Sequence, residues 1–368
     1  MKPVRIFTPS IELLAEIDNY ESLIFTRKYL KYGEFQLTVN KHKQNTRYLE
    51  KGNMILLGND SNKIGIIRHR EINLNEQGKA SETLLIKGYT IDHLFTQRII
   101  LPPPESDHDS IKGNAETVIK HYIKNSIVNA LDTNRNISFL NILPNKNRGI
   151  NLSWKSRYKN LSEEIQEICS ISDIGIKTNL NHETKKIDID IYEGRDLTIN
   201  QTVNSPVIFS YEFDNIKTQH YVDSDIGYKN YGYVGGRGEG ADRQIVETGK
   251  AAGIDRIETF IDARDITTIE ELQTRGNQKL AETPQIKTLE GEILTYGPFK
   301  YEKDFDLGDK VTVQNKSWNL TIDVRITEVT EVYEADGFKL EVNFGSNIPT
   351  FIDKIKQELS QLNYDGRK

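Results

Sequence analysis

The 368-residue sequence contains a single cysteine, Cys169. No intrachain disulfide and no cysteine-based zinc site can form, which fits folding in a reducing cytoplasm. Long hydrophobic runs are also missing. No stretch approaches the roughly 18 apolar residues of a membrane-spanning helix, so no membrane insertion is expected. The start, Met1-Lys2-Pro3-Val4-Arg5, leads into no long apolar segment, so no secretory leader is expected either. Proline (10) and glycine (25) are too scarce for a collagen-like or low-complexity chain. Excess positive charge is absent: 48 Lys and Arg face 54 Asp and Glu, a net charge of -6, with no long basic block. A binder that grips nucleic acid regardless of sequence neutralises phosphates with a basic surface, so tight DNA or RNA binding is not expected. Apolar residues are scarce too, at 36% against 28% charged. A typical globular domain is nearer 45–50% apolar by a similar count. Such a chain holds several thin β-rich cores or completes its burial in an assembly, and its length suits two or three domains.

What is present is mostly period-two patterning, the mark of half-buried strands. Ile11, Leu13, Ala15 and Ile17 alternate with other residues, as do Phe35, Leu37 and Val39. Short apolar runs at Met54–Leu57 and Ile64–Ile67 flank a turn-forming stretch, Gly58-Asn59-Asp60-Ser61-Asn62. A run at Thr83–Lys87 and a short helical piece around Ile91, Leu94 and Phe95 lead to Pro102-Pro103-Pro104, a first boundary. From about 112 to 200 the pattern becomes mixed α/β. Asn114 can cap a helix carrying Ala115, Val118, Ile119, Tyr122, Ile123 and Leu131. Asn160 and Glu163 resemble a capping box before Leu161, Ile165, Ile168 and Cys169. Ile187-Asp188-Ile189-Asp190-Ile191 is an alternating strand. β patterning resumes through Val207, Phe209, Tyr211 and Phe213, and a helix opens at the Thr268/Glu271 capping box and ends by Pro284. Leu320, Ile322, Val324 and Ile326 alternate, as do Phe338, Leu340, Val342 and Phe344, with Ala335-Asp336-Gly337 as a hairpin turn between them. Beyond Pro349, the stripe Phe351, Ile355, Leu359 and Leu362 reads as an amphipathic helix.

Catalytic patterns are largely missing. No two of the seven histidines stand at the four-residue spacing of a zinc-binding helix. His108, within Ser106-Asp107-His108-Asp109, reads as part of a solvated loop, and His93 as a surface residue. Cys169 lies on the apolar face of its helix, where a thiol acts as a small buried hydrophobe rather than a nucleophile. Asp188 and Asp190 share one strand face, but their isoleucine neighbours take the buried side, so the pair reads as solvent-facing. Trp154 and Trp318 read as core residues rather than as sugar platforms. No catalytic, metal or cofactor residue is assigned. The most unusual local feature is the glycine cluster of Gly232 to Gly240, which matches no nucleotide-binding fingerprint. As structure it is a tightly turning loop; as function it is a loop lying against a neighbouring chain, with Gly235, Gly236, Arg237, Gly238, Glu239, Gly240, Asp242 and Arg243 as its contact residues.

The order of four passages resembles a known family. They are Tyr32-Gly33-Glu34-Phe35-Gln36-Leu37-Thr38-Val39; Ile86-Lys87-Gly88-Tyr89-Thr90-Ile91-Asp92-His93-Leu94-Phe95-Thr96-Gln97-Arg98-Ile99-Ile100; Asn230-Tyr231-Gly232-Tyr233-Val234-Gly235-Gly236-Arg237-Gly238-Glu239-Gly240-Ala241-Asp242-Arg243; and Phe305-Asp306-Leu307-Gly308-Asp309-Lys310-Val311-Thr312-Val313, followed by the hairpin and Phe344-Gly345. Over about residues 1–360 the chain resembles the tail-tip hub proteins of long-tailed bacteriophages, related to baseplate hubs of contractile tails and to type VI secretion spikes. The resemblance implies a mainly β fold with an α/β insertion and two similar tail-tube-like β-barrels. The first barrel would be discontinuous, formed by 1–100 with return strands at 205–230 around an insertion at 101–204. The second would span 231–345, and 346–368 would form the C-terminal helix.

It also implies a homotrimeric ring in which two barrels per chain adapt a six-fold tube to a three-fold tip. Its partners would be a distal tail protein, the tail tube, the tape-measure protein and a tip or fibre protein, with DNA passing through without being bound. The stripe Phe351, Ile355, Leu359 and Leu362 would dock a partner. The location implied is the virion tail tip, assembled in the bacterial host cytoplasm. Many relatives continue into a lysozyme or peptidase domain; this sequence stops after the helix, so no lytic role is expected. The competing readings are a cell-wall-degrading enzyme using carboxylates and a receptor- or carbohydrate-binding tail component.

Overall fold

Alternation produces strands wherever one face can be buried, and the computed structural model, which describes residues 1–74 and 80–345, is accordingly mainly β. The stripe Phe351, Ile355, Leu359 and Leu362 lies outside the described residues. The first ninety residues form β1 (Val4–Phe7), β2 (Leu13–Ile17), β3 (Ser22–Lys28), β4 (Glu34–Asn40), β5 (Met54–Leu57), β6 (Ile64–Leu74) and β7 (Ala80–Thr90). An α/β segment follows, with β8 (Asp109–Asn114), α1 (Ala115–Ile123), β9 (Leu140–Ile142), β10 (Asn151–Ser156), α2 (Leu161–Ser172), β11 (Gly175–Asn181) and β12 (Lys186–Tyr192). Then come β13 (Asp196–Leu197), β14 (Ile208–Ser210) and β15 (His220–Ser224). A second inset holds β16 (Tyr231–Gly235), β17 (Ile245–Gly249), β18 (Glu258–Asp262) and α3 (Ile269–Ala281). The chain closes its β structure with β19 (Ile286–Ile293), β20 (Lys310–Asn315), β21 (Leu320–Glu334) and β22 (Gly337–Gly345).

Fourteen strands join one sheet in the order β15-β19-β22-β21-β3-β4-β7-β6-β5-β1-β2, with β20 beside β21 and with β13 and β14 beside β20. Among the described residues this sheet does not close on itself. Seven of its strands come from the start of the chain and seven from its later part. Two runs repeat one order: β3-β4-β7-β6-β5 early and β15-β19-β22-β21-β20 late. Both long strands slip register at a matching place, after Ile67 in β6 and after Ile326 in β21, and β6 slips a second time after Ile72. The two β units are hydrogen-bonded to one another where β21 lies antiparallel to β3, from Glu328↔Lys28 to Glu334↔Ser22.

Each β unit has its own core. Val4, Leu23, Phe25, Leu37, Ile55 and Ile86 fill the first; Phe209, Leu289, Phe305, Val313, Ile326 and Phe344 fill the second. Met54–Leu57 is buried at every position because both faces are covered. Ile55 and Leu57 point into the β core, while Met54 and Leu56 face α1 and α2 of the α/β segment. Tyr29 ties the three bodies together. Its hydroxyl donates to the carbonyls of Asp173 (3.1 Å) and Tyr192 (3.3 Å). Its ring lies so close to Gly175 and Gly308 that a Cβ at either would approach it to 2.4 or 2.6 Å.

Several local expectations change. Helix α1 is capped by the Asn114 side chain, which accepts from Thr117 N–H at 2.9 Å, but it ends at Ile123 in a π-type turn, leaving Leu131 84% exposed. Ile11 takes positive φ before β2, and Leu13 turns outward, because β2 is an edge strand with little to cover it. Tyr211 and Phe213 leave the strand pattern in a 3-10 turn and are exposed. Trp154 is buried, its indole N–H donating to Glu164 (2.7 Å), whereas Trp318 sits in the β20–β21 turn, 50% exposed. The 205–230 segment pairs with late strands, β14 with β20 and β15 with β19. Residues 231–262 form a three-stranded sheet of their own, order β17-β16-β18, because α3 covers them with a small separate core of Val234, Ile261, Ala263, Ile266 and Leu272.

Candidate assembly surfaces

The glycine cluster is half strand and half loop. Tyr231–Gly235 is β16, the centre of the inset sheet, so its glycines are packing positions. A Cβ on Gly235 would meet the Arg243 guanidinium at 2.7 Å, and one on Gly236 would meet Leu272 at 2.9 Å. The loop proper begins after Gly236, where Gly238 (φ 101°) and Gly240 (φ 56°) take left-handed backbone that favours glycine. Arg237, Gly238, Glu239, Gly240 and Asp242 are exposed. Arg243 folds inward instead: it donates to the carbonyls of Gly235 (3.0 Å) and Gly236 (3.2 Å), pairs with Asp262 (2.6 Å) and lies over the Phe260 ring. The structure therefore brings Gly235, Gly236 and Arg243 together as an internal latch, and leaves Arg237, Glu239 and Asp242 free to meet another surface.

The second surface joins the two β units. Lys63, at the entry to β6, is fully buried. Its ammonium lies 2.6 Å from Glu331 on β21, 2.7 Å from Glu302 and 3.2 Å from Asp60. Burial alone would lower the Lys63 pKa, yet Glu331 and Glu302 hold it above its ordinary value. Arg27 on β3 pairs with Asp306 (2.7 Å) and also donates to the Tyr301 hydroxyl. Tyr301 and Tyr333 both donate to Glu331, at 3.2 and 2.5 Å. The connection from β19 to β20 thus reaches across to the first unit. A groove of about 570 Å³ opens beside it, lined in part by Phe299, Tyr301, Glu302 and Phe338.

Sequence reasoning missed this joint, although a signal existed. Leu23, Phe25 and Arg27 share one face of β3, and Val329 and Glu331 share one face of β21, so period two places a charge on each buried side.

The residues weighed for chemistry stand apart. Cys169 is fully buried, and burial pushes its thiol well above the ordinary range. His93 is not on open surface: it stacks on Tyr89 (4.1 Å) and meets Tyr32 edge-on (4.8 Å). Asp188 and Asp190 are both partnered. Asp190 lies 2.7 Å from Arg148 and 3.2 Å from Lys120, and Asp188 accepts from Asn141 at 2.6 Å. The same Arg148 and Lys120 serve Glu116; burial would raise that carboxyl, but their donors outweigh it and hold it at about 2. Asp92 is different. Burial lifts it to about 6 against the Thr90 hydroxyl, which donates to it at 2.5 Å. Among the described residues no group of three or more His, Cys, Asp or Glu could hold a metal, and no helix is long and apolar enough to cross a membrane.

The sequence matches the family described as Siphovirus ReqiPepy6 Gp37-like protein over residues 3–346. No curated protein matches it. The fold is similar to that of the 43 kDa tail protein of prophage MuSo2 from Shewanella oneidensis, with TM-score 0.60 at 10% identity, covering 93% of this chain and 98% of that one. It is similar to a tail protein from Neisseria meningitidis MC58 (TM-score 0.57, 11% identity, 94% and 97% covered). It is also similar to prophage tail protein gp18 from Listeria monocytogenes EGD-e (TM-score 0.55, 12% identity, 99% and 100% covered). At such identities the likeness is one of fold.

Proposed function

The chain belongs to the siphovirus tail-protein family described as ReqiPepy6 Gp37-like, and from that membership we propose that it is a non-enzymatic hub at the tail tip of a phage or prophage. In this reading three copies form a ring. Each contributes two barrel-like β units, so a three-fold tip presents six similar units to the six-fold tail tube. The observation that carries the reading is the repeated strand order, β3-β4-β7-β6-β5 and β15-β19-β22-β21-β20, with the two runs joined edge to edge through β21 and β3. That one chain already pairs one unit with another, edge to edge, supports the reading.

The ring would touch a distal tail protein, the tail tube, the tape-measure protein and a tip or fibre protein. It would assemble in the host cytoplasm and reside in the virion. Arg237, Glu239 and Asp242 would meet a neighbouring subunit, and Phe351, Ile355, Leu359 and Leu362 would dock a partner. A net charge of -6 suits a lumen that passes DNA without holding it. Light scattering tests the reading, with and without tail-tube protein. A mass of three chains is expected. A strict monomer at high concentration that also ignores tube protein would overturn it.

A further inference from the structure

The joint inside the chain specifies a joint between chains. The long strand β21 has β22 along one edge; its other edge is shared by β20, over Leu320–Arg325, and by β3, over Glu328–Glu334. Its counterpart β6 has β7 along one edge, and β5 pairs only with Ile64–Ile66 on the other. Among the described strands nothing pairs with the rest of that edge. The counterpart of β3 is β15, which pairs with β19 and has no described strand on its other edge. The unit therefore carries one copy of this joint made and both halves of a second copy unmade. We infer that the free edge of β6 in one molecule pairs antiparallel with the free edge of β15 in the next, continuing the sheet around a ring.

The register follows from the strand pairing within the chain. The shared slip aligns Ile67 with Ile326, and hence His69, Arg70, Glu71 and Ile72 with Glu328, Val329, Thr330 and Glu331. Following the ladder through β7/β22 and β4/β19 aligns Phe25, Thr26, Arg27 and Lys28 with Tyr221, Val222, Asp223 and Ser224. In the made joint Lys28, Arg27, Thr26 and Phe25 face Glu328, Val329, Thr330 and Glu331. In the unmade one, Ser224, Asp223, Val222 and Tyr221 then face His69, Arg70, Glu71 and Ile72.

This register was set by topology alone, yet its chemistry is complementary. Arg70 falls opposite Asp223, an oppositely charged cross-strand pair. Ile72, 41% exposed in the single chain, falls opposite Tyr221. Both pairs lie on one face, the face that holds Phe25 and Arg27 in the made joint. An unpaired edge carrying an exposed isoleucine is otherwise a site of uncontrolled association. A contact between two different edges of identical chains is head-to-tail, and it closes into a ring when the rotation permits.

The inference rests on the ring reading, and the test separates the two. Thr26 Oγ1 and Thr330 Oγ1 lie 2.9 Å apart in the made joint, so their counterparts Val222 and Glu71 are the positions to cross-link. The full chain carrying Glu71→Cys and Val222→Cys, oxidised after assembly, is expected to give covalent multimers. Each single variant should give none, and Glu71→Cys with Ser224→Cys, two residues out of register, should give at least tenfold less. Separately, Arg70→Asp or Asp223→Arg should weaken self-association at least tenfold with unchanged thermal unfolding of the single chain, and the double exchange should restore it. Three-chain particles without in-register cross-links would overturn this interface and leave the ring standing. A chain that stays monomeric throughout would overturn both.

Discussion

At the centre of the first β unit stands Leu37, fully buried; at the matching position of the second stands Gly291. The space is not empty. A Cβ on Gly291 would meet Ile216 at 2.4 Å and the Thr218 carbonyl at 2.6 Å. One unit thus fills its interior from its own strands, whereas the other takes filling from the segment that leads into β15. Strand order survives this exchange because it depends on backbone pairing, while the interior requires only that its volume be occupied. The same contrast governs the edges. The outer half of β21 is covered within the chain by β3 and locked by buried charge, whereas among the described strands none pairs with the matching half of β6 on that edge.

The largest effect should come from breaking the locked edge. Lys63→Met leaves Glu331 buried without its cation, and losing one partner of a buried pair costs about 3–5 kcal/mol. Chemical denaturation should show a loss near 4 kcal/mol. Adding Glu331→Leu should return part of that loss, since an apolar pair carries no desolvation penalty. A loss below about 1 kcal/mol for Lys63→Met would mean that backbone pairing alone holds the two units together.

A smaller effect should come from the interiors. Leu37→Ala removes buried carbon that nothing in the first unit can replace, and should cost about 3 kcal/mol. Gly291→Ala adds only one methyl, yet it forces that methyl against the Thr218 backbone and should cost about 1–2 kcal/mol. Equal tolerance of alanine at both positions, read from urea midpoints, would erase the proposed difference in how the two units are filled.

How far all this was legible depends on where each signal is stored. Alternation at Phe35, Leu37 and Val39, and at Phe338 to Phe344, is local, and so is the Ala335-Asp336 turn; these appeared as strands and hairpin. So did the Asn114 and Thr268 caps, each accepting a backbone N–H from its own helix. The strand order β3-β4-β7-β6-β5 is a set of long-range pairings and leaves no local trace. The second inset was hidden for another reason: its central strand is Tyr231-Gly232-Tyr233-Val234-Gly235, and glycines carry no side chains to show a period. At Gly291 the alternation Leu289, Gly291, Ile293 breaks because its filler comes from elsewhere in the chain. Lys63 gave no warning at all, since a lysine after a polar turn is ordinarily solvated.

The last of these effects is confined to one unit and vanishes at low pH. Among the described residues, the acids lifted by burial are Asp92 (about 6) and Glu167 (about 7), both outside the second β unit. Asp92 lies just past the end of β7, in the turn that leads towards the α/β segment. Its pKa is above the ordinary 3.8, so folding favours the protonated acid. That stabilising contribution is complete below about pH 4 and is lost as the pH rises through about 6; above that, the buried charge works against the fold. Two pH units correspond to just under about 3 kcal/mol. Asp92→Asn keeps the shape and removes the charge. It should therefore stabilise the protein by about 2 kcal/mol at pH 8 and leave stability unchanged at pH 4. Glu167 contributes the same sign of pH dependence to both proteins and so cancels in the comparison. Hydrogen exchange at pH 8 locates the gain: amides of β4 and β7 should gain protection in the variant, and those of β19 and β22 should not. An equal gain in both sets would mean that the two β units unfold as one cooperative body.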